Sequence, residues 1–188
     1  MPNKVAIITG ASGGIGLATA ALFAEKGYAV YGLSRKPYDS GPVIHIPTDV
    51  TDASSVRAAV STVIAGEGRI DVLVCNAGFG ISGAIEFTEP SDAKRQFDVN
   101  FFGALHCIQA VLPQMRAQHS GCILCVSSVA AVLSIPFQSF YSAALWDPRC
   151  GTYAGRHQNR LYRCTGKELC WRRRVPCPAA FCGHNGAR

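Results

Sequence analysis

No stretch of this 188-residue chain holds enough consecutive apolar side chains to cross a bilayer. Membrane spans are therefore not expected. The first residues run directly into a strand-like segment, without the basic and then apolar leader of a secreted precursor. Aliphatic side chains are scarce after position 145. Residues 146–188 contain only Leu161, Leu169, Val175 and Phe181 among Leu, Ile, Val, Phe and Met. That is too few to bury a core of their own. Acidic residues are scarce there as well. Residues 146–188 carry 9 Lys and Arg against 2 Asp and Glu, whereas residues 1–145 carry 9 against 10. The formal charge of +6 thus belongs to the tail, which also holds five of the nine cysteines and both tryptophans. We divide the chain accordingly. Residues 1–145 are expected to form one domain, and 146–188 a disordered basic segment rich in Cys and Arg. Cys75, Cys107, Cys122 and Cys125 lie inside apolar stretches. This is the pattern of buried thiols in a reducing cytoplasm, not of a disulfide framework.

Within residues 1–145, short apolar runs alternate with helical stripes. Val5–Thr9 reads as a strand buried on both faces. Residues 14–26 follow as a helix with Ile15, Ala18, Leu22 and Phe23 on one stripe. Ala29–Leu33 and Val43–Ile46 are strands, and Thr51-Asp52 caps a helix whose apolar face is Val56, Ala59, Val60, Val63 and Ile64. Val72–Cys75 is a fourth strand. Phe101–Met115 is a helix expected to present Leu105, Ile108, Leu112 and Met115, and Cys122–Val126 is a fifth strand. Such alternation predicts an α/β fold, a doubly wound parallel sheet with helices on both faces and its ligand site at the carboxyl ends of the strands.

Where the first strand turns into the first helix stands Thr9-Gly10-Ala11-Ser12-Gly13-Gly14-Ile15-Gly16. Gly10 permits a tight turn. Gly14 and Gly16 let backbone and helix approach a pyrophosphate, whose charge meets the helix N-terminus. This spacing, in its strand–turn–helix context, resembles the short-chain dehydrogenase/reductase family. Further motifs follow in order. Asp49-Val50 follows the third strand, Asn76-Ala77-Gly78 ends the fourth, Asn100 lies in Asn-Phe-Phe-Gly, and Ser127-Ser128 ends the fifth. Tyr141 stands thirteen residues after Ser128.

The resemblance implies a Rossmann-type sheet of strand order 3-2-1-4-5, here incomplete at its C-terminal side. It implies cofactor contacts from Gly10, Ser12, Gly14, Ile15 and Gly16. Asp49 and Val50 would lie beside the adenine, and Asn76, Ala77 and Gly78 beside the adenosine ribose. It also implies a catalytic set in which Tyr141 is the acid/base, Ser128 holds the substrate oxygen and Asn100 holds a water of the proton relay. A free tyrosine titrates near ~10 and needs help to act at neutral pH. In the family that help comes from a lysine four residues on, which also bonds the nicotinamide ribose. Position 145 is leucine. Past the second strand, Ser34-Arg35-Lys36 places a basic residue where an acidic one would suit a 2′-hydroxyl, so NADP(H) is expected over NAD(H). The implied partner is a small carbonyl or alcohol substrate, with no nucleic acid and no membrane. Relatives are usually homo-oligomers, through a helix that this chain has lost.

The tail departs from that pattern. Trp146-Asp147-Pro148-Arg149 is expected to stop the helix one turn after Tyr141. The aperiodic Arg, Cys, Pro, Gly and Trp that follow are what an out-of-frame reading of a GC-rich gene tends to give. His157, Cys164, Cys170, Cys177, Cys182 and His184 offer zinc-binding atoms, but no two of these cysteines form Cys-x-x-Cys, so no metal site is expected. Arg172-Arg173-Arg174 beside Trp171 reads as a solvated run rather than a nucleic-acid surface. With two strands lost, Cys122–Val126 would be left as an unpaired, aggregation-prone edge.

Overall fold

Burial of all five residues of Val5–Thr9 (β1) places this strand at the centre of the sheet. The computed structural model describes residues 4–39, 41–131, 133 and 135–145, together with the backbone of 152–154 and 161–163. β1 pairs in parallel with β2 (Ala29–Ser34) on one side and β4 (Val72–Cys75) on the other. β3 (Ile44–Pro47) lies outside β2, and β5 (Gly121–Cys125) outside β4, both parallel. The five strands run 3-2-1-4-5, as the doubly wound pattern requires.

Side chains alternate across the sheet and divide the core in two. Val5, Ile7, Leu73, Cys75 and Ile123 face α2 (Ala53–Glu67) and α4 (Gly103–Ala117). Ala6, Ile8, Val72 and Val74 face the opposite way, toward Ala20 of α1 (Gly14–Glu25). α2 begins at Asp52, whose carboxylate accepts from the Ser54 N–H at 2.8 Å, and buries Val56, Ala59, Val60 and Val63. α3 (Pro90–Phe97) runs into a single wide π turn at Asp98–Phe102, and this turn leads into α4. α5 (Ser139–Ala143) is barely one turn long.

Two stripes expected from the sequence are rotated. α1 buries Gly16 and Ala20, while Ile15 is 65% exposed and Leu22 53%. α4 buries Ala104, Cys107, Val111 and Met115, with Ile108 and Leu112 packed at the margin. In α1 small residues take the seam against the strands, because the short side chains let the helix axis come close, and the larger aliphatics are pushed aside; in α4 Ala104 and Cys107 share the seam with Val111 and Met115.

A third expectation is overturned. β5 is not left unpaired, because Gly121, Cys122 and Ile123 pair antiparallel with Ala154, Tyr153 and Thr152 of β6 (Thr152–Ala154). β6 in turn pairs with β7 (Leu161–Arg163), giving a seven-stranded sheet. Ladder hydrogen bonds come from the backbone and need no aliphatic core, so a tail poor in Leu, Ile and Val can still supply strands. The pairing covers β5's edge but not its outer face, where Leu124 is 45% exposed. Trp146–Arg149 lies outside the described residues; α5 ends before it, at Ala143.

Asp71 anchors the amino end of the central strands. Its carboxylate accepts from Val5 N at 2.9 Å and from Arg69 Nε and Nη2 at 2.8 and 2.6 Å. Burial opposes the charge, but the Arg69 fork and the Val5 N–H outweigh it and hold the carboxyl below the usual range. A depressed carboxyl stabilises the fold above its unfolded pKa of ~3.9 and loses that contribution as pH falls through the folded value. We expect Asp71→Asn to cost roughly 1–3 kcal/mol at neutral pH. The gap from the parent should close as pH is lowered from about 5 to about 2. Urea denaturation across that range checks both magnitude and sign.

Candidate active site

The carboxyl end of β1 is tied to that of β4 by one hydroxyl and one amide. Thr9 Oγ1 accepts from both Asn76 N and Ala77 N at 2.9 Å and lies 3.4 Å from Val74 O, to which it donates. In return Asn76 Nδ2 donates to Thr9 O at 3.0 Å and Gly10 O at 3.3 Å. Gly10, at φ +67°, turns the chain in a conformation that favours glycine. Gly16 brings α1 so close that a Cβ there would lie 2.3 Å from Gly10 O. α1 has no capping side chain and no acidic residue in its first turn, so its N-terminal N–H groups are open to an anion.

Two cavities, of about 700 and about 340 Å³, adjoin this turn. They share Gly10, Gly13, Ala77, Gly78 and Phe79 and so form one cleft. Ser12, Ser34, Arg35, Asp49 and Val50 line the larger part. Ile15, Asn76, Asn100 and Tyr141 line the smaller. Gly14 and Gly16 line neither part: Gly14 is exposed at φ +53°, and Gly16 is buried against Gly10. The cleft's glycine floor and the open helix N-terminus fit the phosphates of a dinucleotide.

Arg35 is exposed and has no carboxylate within ion-pair distance among the described residues. Its turn is braced from behind. Ser34 Oγ donates to Lys36 O at 3.0 Å, and His45 Nε2 lies 3.0 Å from Ser34 Oγ and 3.1 Å from Ser34 O. Asp49 Oδ1 accepts from Thr51 N and Oγ1 at 2.9 and 2.8 Å, which fixes the loop after β3.

Asn100 sits buried on the wide turn before α4. Its Oδ1 accepts from Phe79 N at 3.0 Å and its Nδ2 donates to Phe79 O at 2.8 Å, so the side chain clamps the cleft floor. Ser128 Oγ accepts from Ala130 N at 3.2 Å and caps the turn after β5, while Ser127 is the serine on the cavity wall. Tyr141 packs its ring against Gly80, where a Cβ would meet it at 3.1 Å. Leu145 lines the same cavity as Tyr141, putting an apolar side chain where the resemblance implies a cation.

Several site residues were not picked out from the sequence. Thr9 was legible as the threonine opening the glycine motif. Phe79, Val99 and Arg95 line the larger cavity without any motif to flag them. Arg95 lies over the Phe79 ring at 5.3 Å, and Gln96 Oε1 accepts from Ile81 N at 2.6 Å, so α3 also grips the floor. His157, Cys164, Cys170, Cys177, Cys182, His184 and the Trp171–Arg174 run lie outside the described residues. Among the described residues no group of three or more His, Cys, Asp or Glu is placed to hold a metal, and no helix is long and apolar enough to cross a membrane.

Comparison with known proteins places this geometry. The family profile described as short chain dehydrogenase matches residues 4–146. The chain is 46% identical over 145 residues to 3-ketodihydrosphingosine reductase of Bacteroides thetaiotaomicron, covering 77% of this chain and 54% of that protein. It is 37% identical over 161 residues to estradiol 17-beta-dehydrogenase 1 of Rattus norvegicus, covering 77% and 46%. Among solved structures, the ligand-free aldohexose dehydrogenase of Thermoplasma acidophilum superposes with a TM-score of 0.74 at 35% identity, over 76% of this chain and 56% of that one. The chain thus spans about half the length of the relatives it matches.

The Thr9 clasp has a direct test. Thr9→Val keeps the shape but leaves two part-buried N–H groups without an acceptor, a loss of about 1–3 kcal/mol apiece at most. We expect Thr9→Val to destabilise the fold by ~2 kcal/mol, and Thr9→Ser to recover most of that. Chemical denaturation measures the loss, and amide exchange at Asn76 and Ala77 localises it.

Proposed function

The chain belongs to the short chain dehydrogenase family, and from that premise we propose that it binds a nicotinamide dinucleotide, NADP(H) ahead of NAD(H), but turns over carbonyl or alcohol substrates at or near background. The observation that carries this reading is the pairing of Tyr141 with Leu145 on one cavity wall. The relatives named above are a reductase of a ketone and dehydrogenases of estradiol and aldohexose, which supports carbonyl–alcohol chemistry as the reaction class.

In this reading Gly10, Ser12, Gly14, Ile15 and Gly16 receive the pyrophosphate at the N-terminus of α1, Asp49 and Val50 flank the adenine, and Asn76, Ala77 and Gly78 border the ribose. Ser34 and Arg35 face the 2′ position. Arg35 has no partner carboxylate among the described residues, so its charge is available to a 2′-phosphate. The nicotinamide supplies or accepts a hydride when bound. The chain's own part is to hold and move the proton at the substrate oxygen. That task falls to Tyr141, with Ser128 as the substrate's hydrogen-bond partner and Asn100 as the group that fixes Phe79 and orders water. A tyrosine hydroxyl needs a neighbouring positive charge to give up its proton at neutral pH, and Leu145 provides none.

A second reading follows from the same leucine: a nucleotide-binding protein without turnover. The two readings share the nucleotide cleft and separate only on catalysis. On either reading, residues 1–145 form the cofactor-binding domain and 146–188 stand apart from the family's pattern. The thiols of Cys75, Cys107 and Cys125 suit a cytoplasmic setting.

Titration with NADPH and NADH, followed by nucleotide fluorescence, tests the cofactor assignment. NADPH should bind tighter by on the order of tenfold, the worth of one charge-assisted contact, and Arg35→Glu should abolish or reverse that preference. Equal affinities in parent and variant would remove Arg35 from the assignment.

Turnover separates the two readings. Loss of proton transfer help costs ~10²–10⁴-fold, and a misplaced nicotinamide about 10²-fold more. Leu145→Lys alone should not restore rate, because α5 ends at Ala143 and position 145 lies beyond the helix that would hold the new side chain. Replacing residues 144–188 with the corresponding segment of a relative should restore it, and Tyr141→Phe should then abolish it. Robust turnover by the unaltered chain that depends on Tyr141 would refute the impaired-enzyme reading.

A further inference from the structure

Three thiols cluster at the carboxyl ends of β4 and β5, and the proposed chemistry uses none of them. Cys75 and Cys125 are partners in register on adjacent parallel strands. In-register neighbours point to the same face, and both belong to the core layer beneath α4. Adjacent strands stand about 4.8 Å apart, which lies inside the ~4.4–6.8 Å window of Cα separations that a disulfide bridges. Cys75 Sγ donates to Ala104 O at 3.9 Å, and the Cys75 and Cys125 thiols are close enough to shift each other's titration. Their surroundings differ. Cys75 is nearly buried but lines the smaller cavity, while Cys125 is only part-buried.

The chain also contains Cys122-Ile123-Leu124-Cys125, a spacing that on a helix would bring two thiols together. Here it lies in β5, so Cys122 and Cys125, three residues apart, face opposite sides of the sheet. The partner that the fold gives Cys125 is therefore Cys75, fifty residues away in sequence and directly across the ladder. Cys107, on α4, is deeply buried, and burial pushes its thiol up to about 12.

We propose that Cys75, in the wall of the cleft, and its neighbour Cys125 form a redox-active dithiol, closed to a disulfide by hydrogen peroxide. In the first step the Cys125 sulfur attacks the peroxide. An S–O bond forms, the O–O bond breaks, and water leaves with the thiol proton, giving a sulfenic acid. In the second step the Cys75 sulfur attacks that of Cys125. The S–S bond forms, the S–O bond breaks and a second water leaves. Two thiols are oxidised by two electrons, and one peroxide is reduced to two waters. The nearby Cys75 thiol lowers the Cys125 thiol below its ordinary value, which favours it as the first nucleophile; the same proximity and burial raise Cys75. The bridge ties together the strand ends from which Asn76–Gly78 and Ser127–Ser128 emerge, and so bears on both walls of the cleft.

The test treats the full chain with hydrogen peroxide, blocks remaining thiols with N-ethylmaleimide and maps the non-reduced digest by mass spectrometry. A peptide pair joined through Cys75 and Cys125, two hydrogens lighter than the sum of its parts, is the expected product. It should be lost in Cys75→Ser and in Cys125→Ser and kept in Cys107→Ser. The unaltered chain is decisive by itself, so a variant that fails to fold does not obscure the answer. A second chain with Cys150, Cys164, Cys170, Cys177 and Cys182 changed to serine should give the same bridge. Alkylated Cys75 and Cys125, irreversible sulfinic acid at Cys125 without a bridge, or Cys125 joined to another cysteine would each overturn the proposal.

Discussion

A parallel sheet ends each strand in peptide groups that have no further ladder partner, and buried ones must find partners elsewhere. At the centre of this sheet the Thr9 hydroxyl and the Asn76 amide meet that demand for β1 and β4 together. The rest of the cleft depends on their doing so. Gly10 can turn sharply because Asn76 takes its carbonyl. The segment that continues from Asn76 then meets two further grips, Asn100 on both sides of the Phe79 peptide and Gln96 on Ile81. One run of hydrogen bonds therefore leads from the first strand, through the fourth, to the third and fourth helices. Few of these contacts are side chain to side chain; most are a side chain holding a backbone group. That explains why the identities of Thr9, Asn76 and Asn100 carry so much of the geometry.

The parts of the fold legible in the sequence were those set by local composition. Continuous apolar runs marked β1 and β4 at their observed bounds, and Asp52 marked the start of α2. β2, β3 and β5 differ by a residue at one or both ends, where short strands fray into turns. What local pattern did not show was depth. In α1 the eye follows Leu and Ile, but the seam against a sheet goes to whatever allows close approach, here Gly16 and Ala20; in α4 Ala104 and Cys107 share that seam with Val111 and Met115. Pairing of β5 with β6 was invisible for a different reason. Thr152–Ala154 has none of the hydrophobic signature of a buried strand, because ladder pairing on either side holds a strand by its backbone. At the site, glycine spacing identified the turn and the Asn-Ala-Gly element. Arg95 and Phe79 were not legible, since only the tertiary crossing of α3 over the loop after β4 brings them to the cleft.

Charge is distributed unevenly along the cleft. The larger cavity has Arg35, Arg95 and Asp49 on its walls and the open N-terminus of α1 at its base. Described charged residues are missing from the lining of the smaller cavity, which is built from glycine, amide, hydroxyl and apolar groups. Such a cleft favours an anion at one end and leaves the Tyr141 hydroxyl without a charged neighbour in the lining of the other.

The central position of β1 has a bearing on how the chain acquires its structure. Its neighbour on one side, β2, begins at Ala29, but its neighbour on the other, β4, begins only at Val72. During synthesis β1 therefore emerges well before one of its two partners exists, and a buried-type strand waits with half of its backbone groups unmatched. Only when Cys75 has appeared can the Thr9 hydroxyl find Asn76 and the glycine turn take its final form. The contacts from β5 outward are antiparallel and join late-made segments to one another. Assembly of the sheet is thus expected to proceed from a long-range central pairing, slow because of the loop it must close, to an outer margin that adds strands afterwards and can release them without disturbing the centre.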